Sequence, residues 1–188
     1  MVEEVQIIEG CIKNDQQCKA LLYKNYAPAL YGVALRYTQR KEDAEDILHD
    51  AFLKIFDNIK QYSGKGSLLG WLSRIIINQA MDFHHQKPKA IFVDYGDYEE
   101  MIADETIIDP DKMTHKILLG FIKELPQMYQ SMFNLCVIDG YSYDEAAKEL
   151  RCTASECRTG LFRARNMLKR KVNNFLKEEN QYDNGYNI

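Results

Sequence analysis

Apolar residues recur at helical spacing through most of this chain, and the pattern predicts an all-α protein. The clearest stretch is residues 43–59, where apolar positions step by three and four and acidic residues occupy the other face. Further helices are predicted over residues 21–37, with a bend or restart at Pro28, and over residues 68–83. A glycine-rich turn at residues 63–67 precedes the last of these helices. The first part of the chain therefore predicts a small helical bundle.

A second helical block is predicted after residue 112. Helices are expected over residues 113–125 and 127–138, with Pro126 suited to the start of the second. A long final helix is expected after a short segment at residues 151–154. Its predicted buried stripe consists of Cys157, Leu161, Ala164, Leu168, Val172 and Phe175. The polar residues 178–188 are expected to form a frayed tail.

Between the two blocks the helical pattern stops. Residues 90–112 contain eight acidic residues and one basic residue, and Pro88 and Pro110 lie at or near the ends of this stretch. Such a composition favours a flexible acidic linker over a packed element. The predicted organisation is thus a first domain at 1–89, a linker at 90–112, a second domain at 113–177 and a tail at 178–188.

The second domain contains the pattern of a helix-turn-helix. Ser142 precedes Glu145 by three residues, a capping box that predicts a helix over residues 143–150, and the longer basic helix follows a short turn. The early residues of that helix are placed to reach base edges, and later ones to meet phosphates. The first group is Ser155, Glu156, Arg158 and Thr159, and the second includes Arg163 and Arg165. A structural three-helix cluster with a basic end has the same pattern, so this motif alone leaves both interpretations open.

Charge is distributed unevenly along the chain. The formal net charge is -4, yet residues 151–171 contain seven basic residues and Glu156 as their single acid. Attraction to phosphate is local, because salt screens it beyond about 10 Å. On charge alone, a nucleic-acid contact and a solvated helix face remain equally compatible with this segment.

Aromatic and polar residues lie together around the turn at residues 63–67. Tyr62 and Trp71 flank it, and their neighbours include Lys65, Arg74, Asn78 and Gln79. Aromatic rings can stack on an unpaired base, which is worth about 1–3 kcal/mol per base. A tryptophan in an apolar helix is also an ordinary core residue, so the pattern leaves both roles open.

The sequence offers little for catalysis, metal binding or membrane insertion. Its five cysteines match no disulfide framework and no zinc-ligand spacing, and His84 and His85 diverge by about 100 degrees on a helix. It contains no phosphate-binding glycine loop and no apolar run of about 20 residues. We therefore expect a cytoplasmic protein that is not an enzyme, with reduced thiols and without a metal, cofactor, small-molecule substrate or membrane insertion.

The order of these motifs resembles the sigma factors of bacterial RNA polymerase, in particular the two-domain extracytoplasmic-function (ECF) group of the sigma-70 family. The first segment of the resemblance is DAEDILHDAFLKIF at residues 43–56. The second is SGKGSLLGWLSRIIINQAMD at residues 63–82, and the third runs from residue 124 to residue 168. The resemblance implies a protein that binds core polymerase through its β and β′ subunits and directs initiation at promoters.

The resemblance also implies roles for particular residues. Those expected to contact the polymerase are Asp46, Asp50, Leu53, Phe56 and Asp57. Those expected to read the minus-10 element and trap a flipped nontemplate base are Tyr62, Lys65, Trp71, Arg74, Asn78 and Gln79. The basic helix would read the minus-35 element. An anti-sigma protein is a usual further partner in this family.

The chain departs from the family pattern at several positions. Glutamine is common in the family where His49 stands, as are threonine and valine where Glu156 and Cys157 stand. Glu156 would face a phosphate-rich groove, so it is expected either to read a base or to weaken binding. The alternative function is a stand-alone helix-turn-helix regulator that acts without polymerase, and a helical adaptor that binds only protein is a third.

Overall fold

The computed structural model describes residues 3–86 and 115–185, with side chains described as far as residue 178. All regular structure in these residues is helical, which confirms the predicted all-α class. The chain divides into two compact units, Met1–Lys89 and Ala90–Ile188. The predicted acidic linker at residues 90–112 lies outside the described residues. In residues 3–86 and 115–185, no helix is both long enough and apolar enough to span a membrane.

The first unit is a three-helix bundle with an additional N-terminal helix. Its elements are α1 (Glu4–Ile12), α2 (Gln16–Arg36), α3 (Lys41–Asn58), a 3-10 turn (Ile59–Gln61) and α4 (Leu68–Gln86). Helices α2, α3 and α4 pack against one another, and α1 packs on α2. The core is formed by large side chains with almost no exposed surface, among them Leu22, Leu30, Ile47, Ile55, Leu72 and Ile76.

Helix α2 differs from its prediction in two ways. It begins five residues earlier than expected, because the Asp15 side chain caps it by accepting hydrogen bonds from the backbone N–H groups of Gln17 and Cys18, at 2.8 and 3.0 Å. It also continues through Pro28, so the predicted restart is wrong, whereas the predicted bend stays a prediction. Ala27 and Leu30, on either side of the proline, are buried in the bundle. This packing offsets the backbone hydrogen bond that proline removes.

Helix α1 lies before residue 21, where the first predicted helix was expected to begin, so it was not predicted. Ile7 and Cys11, one helical turn apart, are its buried residues. The hydroxyl of Tyr26 donates to the carboxylate of Glu4, which ties α1 to α2. Ile7, Ile8, Cys11 and Ile12 have the spacing of one apolar helix face, so the sequence did contain a signal for α1.

The second unit is built around one long helix. Its elements are α5 (His115–Lys123), α6 (Gln127–Phe133), a π-helical turn (Asn134–Ile138), α7 (Tyr143–Leu150) and α8 (Ala154–Gly185). Helix α8 packs against α5, α6 and α7. The side chains of Lys171 and Glu124 form an ion pair between α8 and the end of α5. The expected frayed tail is wrong as far as Gly185, because the backbone remains helical to that residue.

The buried side of α8 follows the predicted stripe closely. Cys157, Leu161, Ala164, Leu168 and Val172 are buried, but Leu176 takes the place predicted for Phe175. Phe175 is half-buried, and its ring centroid lies 5.9 Å from that of Phe121 on α5. Gly160 is also buried, and a Cβ at this position would lie 2.2 Å from the sulfur of Met132 on α6. Any side chain at residue 160 would therefore force the end of the Met132 side chain to move.

Candidate functional site

An acidic stripe with a leucine in it lies on the solvent side of α3. Asp46, Asp50, Leu53 and Asp57 follow one another at steps of four, three and four residues, so they share one helix face. All four are exposed, and Leu53 keeps 55% of its surface accessible. The opposite face of α3 supplies core residues such as Ile47 and Ile55. The structure thus brings together four of the five residues expected to contact polymerase, and we call this set the α3 stripe.

The fifth residue, Phe56, lies beside the α3 stripe rather than in it. It is half-buried, its ring centroid is 5.8 Å from that of Phe52, and the Lys19 ammonium lies 5.2 Å from the ring centre. Because this face of the ring is covered by Lys19 from α2, Phe56 offers less surface to a partner than its position on the helix predicts.

The turn before α4 holds an aromatic pair. The Tyr62 hydroxyl donates to the carbonyl oxygen of Gly66 at 2.7 Å, and Gly66 has a φ of 82°, a left-handed conformation suited to glycine. The ring centroids of Tyr62 and Trp71 lie 5.8 Å apart, and both residues are half-buried. Trp71 is therefore not a core tryptophan, because part of its surface remains accessible next to Tyr62.

Polar residues extend this aromatic pair along α4. Arg74 and Asn78 follow Trp71 at steps of three and four residues, and both are exposed, as is Lys65 in the turn. We call Tyr62, Lys65, Trp71, Arg74 and Asn78 the α4 face.

Gln79 does not belong to the α4 face, which corrects its expected contact with DNA. It is 7% exposed, and its side-chain amide donates to the Asp50 carboxylate at 3.2 Å. The residue next to it, Asn78, lies about 100 degrees away around the helix and is exposed. The structure thus uses Gln79 to join α4 to the α3 stripe.

The helix-turn-helix forms as predicted. The backbone N–H of Ser142 donates to the Glu145 carboxylate at 2.9 Å, and the Glu145 N–H donates to the Ser142 hydroxyl at 3.3 Å. This confirms the capping box that starts α7. Helix α7 ends at Leu150, and the next residue, Arg151, has a φ of 54°, a left-handed conformation that allows the sharp turn into α8.

A second capping box, missed by the sequence analysis, starts α8. The backbone N–H and the hydroxyl of Thr153 donate to the Glu156 carboxylate at 2.7 and 2.8 Å, and the Glu156 N–H donates to the Thr153 hydroxyl at 3.1 Å. The backbone bond, followed by the hydroxyl bond, lowers the pKa of Glu156. One carboxylate oxygen of Glu156, Oε2, accepts both bonds from Thr153, and the residue is exposed, so its expected base contact stays a prediction. The spacing T-x-x-E was the available signal.

The exposed side of α8 presents a continuous row of side chains. Ser155, Arg158, Thr159 and Phe162 are exposed and lie within about 100 degrees of one another around the helix. Phe162 is 59% exposed and was not among the predicted contacts, although its spacing from Arg158 and Thr159 indicated it. We call these four residues the α8 row.

Three arginines near the α8 row have different environments. The guanidinium carbon of Arg158 lies 5.3 Å from the centre of the Tyr143 ring. Arg163 is half-buried and donates to the Tyr129 hydroxyl at 3.4 Å. Arg165 is exposed on the other side of the row. The structure thus places Arg163 and Arg165 as flanks of the row rather than members of it.

The cysteines of the second unit are protonated thiols near neutral pH. The sulfurs of Cys136 and Cys157 are 3.9 Å apart, and burial, followed by the neighbouring Cys136, raises the pKa of Cys157 to about 12. Burial also raises the pKa of Cys152, to about 11. Across the part of the chain that the structure describes, no group of three or more His, Cys, Asp or Glu side chains is arranged to hold a metal ion.

Comparison with known protein families gives two matches. Residues 22–88 match the model of sigma-70 region 2, and residues 115–168 match that of sigma-70 region 4. The first match contains the α3 stripe and the α4 face, and the second contains the helix-turn-helix. Helix α1 precedes both matches.

Curated relatives and a solved structure agree with these matches. The chain is 24% identical to the RNA polymerase sigma-H factor of Pseudomonas aeruginosa over 187 residues, covering 94% of this chain and 97% of the relative. It is 26% identical to the ECF RNA polymerase sigma-E factor of Escherichia coli K12 over 182 residues, covering 91% and 95%. The sigma factor RpoE of Bartonella quintana, solved with the anti-sigma factor NepR, has a similar fold, with a TM-score of 0.51, 20% identity and coverage of 84% and 96%. The chain is therefore an RNA polymerase sigma factor, and it belongs to the ECF group of the sigma-70 family.

Proposed function

We propose that this sigma factor directs core RNA polymerase to promoters through three surfaces. The α3 stripe binds the polymerase, the α4 face holds an opened minus-10 element, and the α8 row reads the minus-35 element. The partners are the β and β′ subunits of the core enzyme and promoter DNA, and the protein works in the cytoplasm. The Bartonella quintana relative was solved with an anti-sigma factor, which supports such a regulator here as well.

The α3 stripe is the observation that carries this proposal. Leu53 lies exposed among three carboxylates, and in the described residues neither Asp46 nor Asp57 forms an ion pair. A partner with basic groups around an apolar patch would match both features, as opposite charges steer association and a buried leucine stabilises it. A regulator that uses only its helix-turn-helix leaves this surface without a role.

The α4 face supports the trapping of a nontemplate base. Tyr62 and Trp71 offer ring surface for stacking, and Lys65 and Arg74 can meet the backbone phosphates of a single strand. Extruding a base costs a few kcal/mol, and stacking returns about 1–3 kcal/mol. Stacking therefore offsets much of the cost of extruding a base, and we propose that binding energy supplies the rest without ATP.

The α8 row supports reading of duplex DNA. Ser155, Arg158 and Thr159 lie near the N-terminus of α8, the end that a helix-turn-helix places in the major groove. Arg163 and Arg165 flank the row at positions suited to phosphates. Phe162 adds an apolar surface of the kind that contacts thymine methyl groups.

Run-off transcription with purified core polymerase on a genomic library tests the whole proposal. We expect defined start sites with the protein and none without it. Failure to produce any start site, while the protein is folded, would contradict the proposal and favour the stand-alone regulator.

A matched pair of variants on α3 tests the polymerase contact. Asp46→Lys reverses a charge in the α3 stripe, and Glu45→Lys makes the same change about 100 degrees away on the same exposed helix. We expect Asp46→Lys to weaken core binding about tenfold or more, and Glu45→Lys to change it by less than about threefold. Equal effects of the two variants would mean that the stripe is not the contact.

A variant of the α4 face tests base trapping. Trp71→Ala removes a stacking surface, so we expect it to reduce promoter opening, measured by permanganate reactivity of thymines, more than closed-complex affinity. Equal loss of opening and binding would argue against trapping at Trp71. Leu69→Ala, an exposed apolar residue of the same helix, is the control.

A further inference from the structure

The two helices of the helix-turn-helix meet at a pair of side chains outside the core. Arg158 lies in the second turn of α8 and is exposed, and its guanidinium carbon is 5.3 Å from the centre of the Tyr143 ring. Tyr143 is the first residue of α7 and is half-buried. The capping box between Ser142 and Glu145 fixes the backbone at this point. The ring is thus a stable support for a long side chain.

The contact with Tyr143 holds Arg158 without using its hydrogen-bond donors. A cation over an aromatic face is attracted by the ring, and at an exposed site this favours the contact about twofold to fivefold. In the described residues Arg158 forms no hydrogen bond or ion pair. The N–H groups lie in the guanidinium plane, so they remain available for the O6 and N7 atoms of guanine. A side chain that is already ordered also loses less entropy on binding.

We propose that Tyr143 is a positioning residue that orients Arg158 to read a guanine in the upstream element. Tyr143 then sets the strength of the preference for guanine at one base pair, rather than the overall affinity for DNA. The inference rests on the proposed role of the α8 row as the reader of duplex DNA.

A second tyrosine and arginine pair provides a matched comparison. Tyr129 is buried, and Arg163 donates a hydrogen bond to its hydroxyl. This contact therefore uses an N–H donor of the arginine and not the face of the tyrosine ring. Arg163 also lies on the flank of the α8 row. Removing the Tyr129 hydroxyl should therefore leave base preference unchanged, whereas removing the Tyr143 ring should reduce it.

The experiment uses the full chain bound to core polymerase. Selection from duplexes randomised over ten upstream base pairs identifies the position at which the unmodified protein prefers guanine and Arg158→Ala does not. The ratio of Kd values for duplexes with adenine and guanine at that position is then measured at one salt concentration. We expect Tyr143→Phe and Tyr129→Phe to keep the ratio and Tyr143→Leu to lower it about twofold to fivefold. In the Arg158→Ala background, Tyr143→Leu should have no further effect.

Three results would overturn the inference. Equal weakening of both duplexes by Tyr143→Leu would mean a general structural role, and an equally reduced ratio in Tyr143→Phe would mean that the hydroxyl acts instead of the ring. If Arg158→Ala abolishes no preference, Arg158 does not read a base, although unchanged run-off transcription would leave the sigma function standing. Tyr143→Met, which also lacks a ring, replaces Tyr143→Leu if thermal unfolding shows that the leucine variant does not fold.

Discussion

Replacing Gly160 by alanine should destabilise the second unit, although alanine is the better helix former. A Cβ at residue 160 would lie 2.2 Å from the sulfur and 3.1 Å from the terminal carbon of Met132. Comfortable contacts between such atoms are about 3.5–4.0 Å, so the thioether must retreat by more than about 1 Å. Met132 is fully buried, so it has no solvent space to move into.

The net effect follows from two opposing contributions. Forcing a methyl group into a filled core costs about 1–3 kcal/mol. Replacing glycine by alanine within a helix returns up to about 1 kcal/mol. Because Met132 is fully buried and the new Cβ would overlap its sulfur, we take the upper half of that cost and expect Gly160→Ala to lower the free energy of unfolding of the second unit by about 1–2 kcal/mol.

Urea unfolding followed by two signals measures this change. The chain has one tryptophan, Trp71, so its fluorescence reports on the first unit, while circular dichroism reports on both. We expect the unfolding transition of the first unit, followed by fluorescence, to stay unchanged. The transition of the second unit, seen by circular dichroism, should shift to a lower urea concentration. Gly120→Ala in α5 is the control, because a Cβ there meets nothing within 4 Å, and it should stabilise by up to about 1 kcal/mol.

Two outcomes would refute this reasoning. One is a Gly160→Ala variant as stable as the unmodified protein. The other is that the losses of unfolding free energy caused by Gly160→Ala and Met132→Ala simply add in the double variant. The added methyl group should partly fill the cavity that the methionine truncation leaves, so we expect the two changes to couple by about 1 kcal/mol or more.

The remaining predictions concern caps, thiols and a surface ion pair. Thr153→Val removes the cap of α8 and should cost about 1 kcal/mol in urea unfolding, and no loss would mean that the cap is dispensable. The lowered pKa of Glu156 means that its contribution to stability is present above the ordinary carboxyl pKa and lost as pH falls through the lower folded value. Glu156→Gln should therefore flatten the acid side of the stability profile, and an unchanged slope would contradict this. The pKa of Cys157 is about 12 in the folded protein, above the ordinary thiol value of 9.0. The stabilisation that comes from burying the neutral thiol is therefore fully present below pH 9.0 and is lost as the pH rises towards 12. Alkylation of Cys157 by iodoacetamide at pH 8 should accordingly be much slower in the folded protein than in urea, and equal rates would argue against its burial. The Lys54 and Asp82 side chains, 3.1 Å apart and about half exposed, should contribute less than about 1 kcal/mol, which Lys54→Met and its double-mutant cycle with Asp82→Asn would measure.

Much of this fold was predictable because the information is local. The apolar residues of α3 and α8 repeat with the helical period, so each helix specifies its own buried side before it meets a neighbour. The Ser142 capping box is equally local, because both partners lie within one turn. The Thr153 capping box is equally local, because Thr153 and Glu156 also lie within one turn, so the sequence contained its signal as well.

Burial of individual polar residues was less predictable. Gln79 and Asn78 are adjacent and chemically alike, yet Gln79 contacts Asp50 on another helix and Asn78 faces solvent. The difference depends on where α3 crosses α4, which is not encoded in the period of either helix. The continuity of α2 through Pro28 has the same origin, because neighbouring helices stabilise the interrupted turn.

The sequence by itself determined the helical class, the position of the helix-turn-helix and the acidic face of α3, because periodicity and capping act within a few residues. Only the tertiary structure decided that Tyr143 contacts Arg158, that Gln79 is withdrawn from the α4 face and that the Met132 side chain lies against Gly160. Each of these contacts joins residues from 15 to 29 positions apart. Their geometry depends on how whole helices cross, and ridges packed into grooves fix that crossing only when both partners are present.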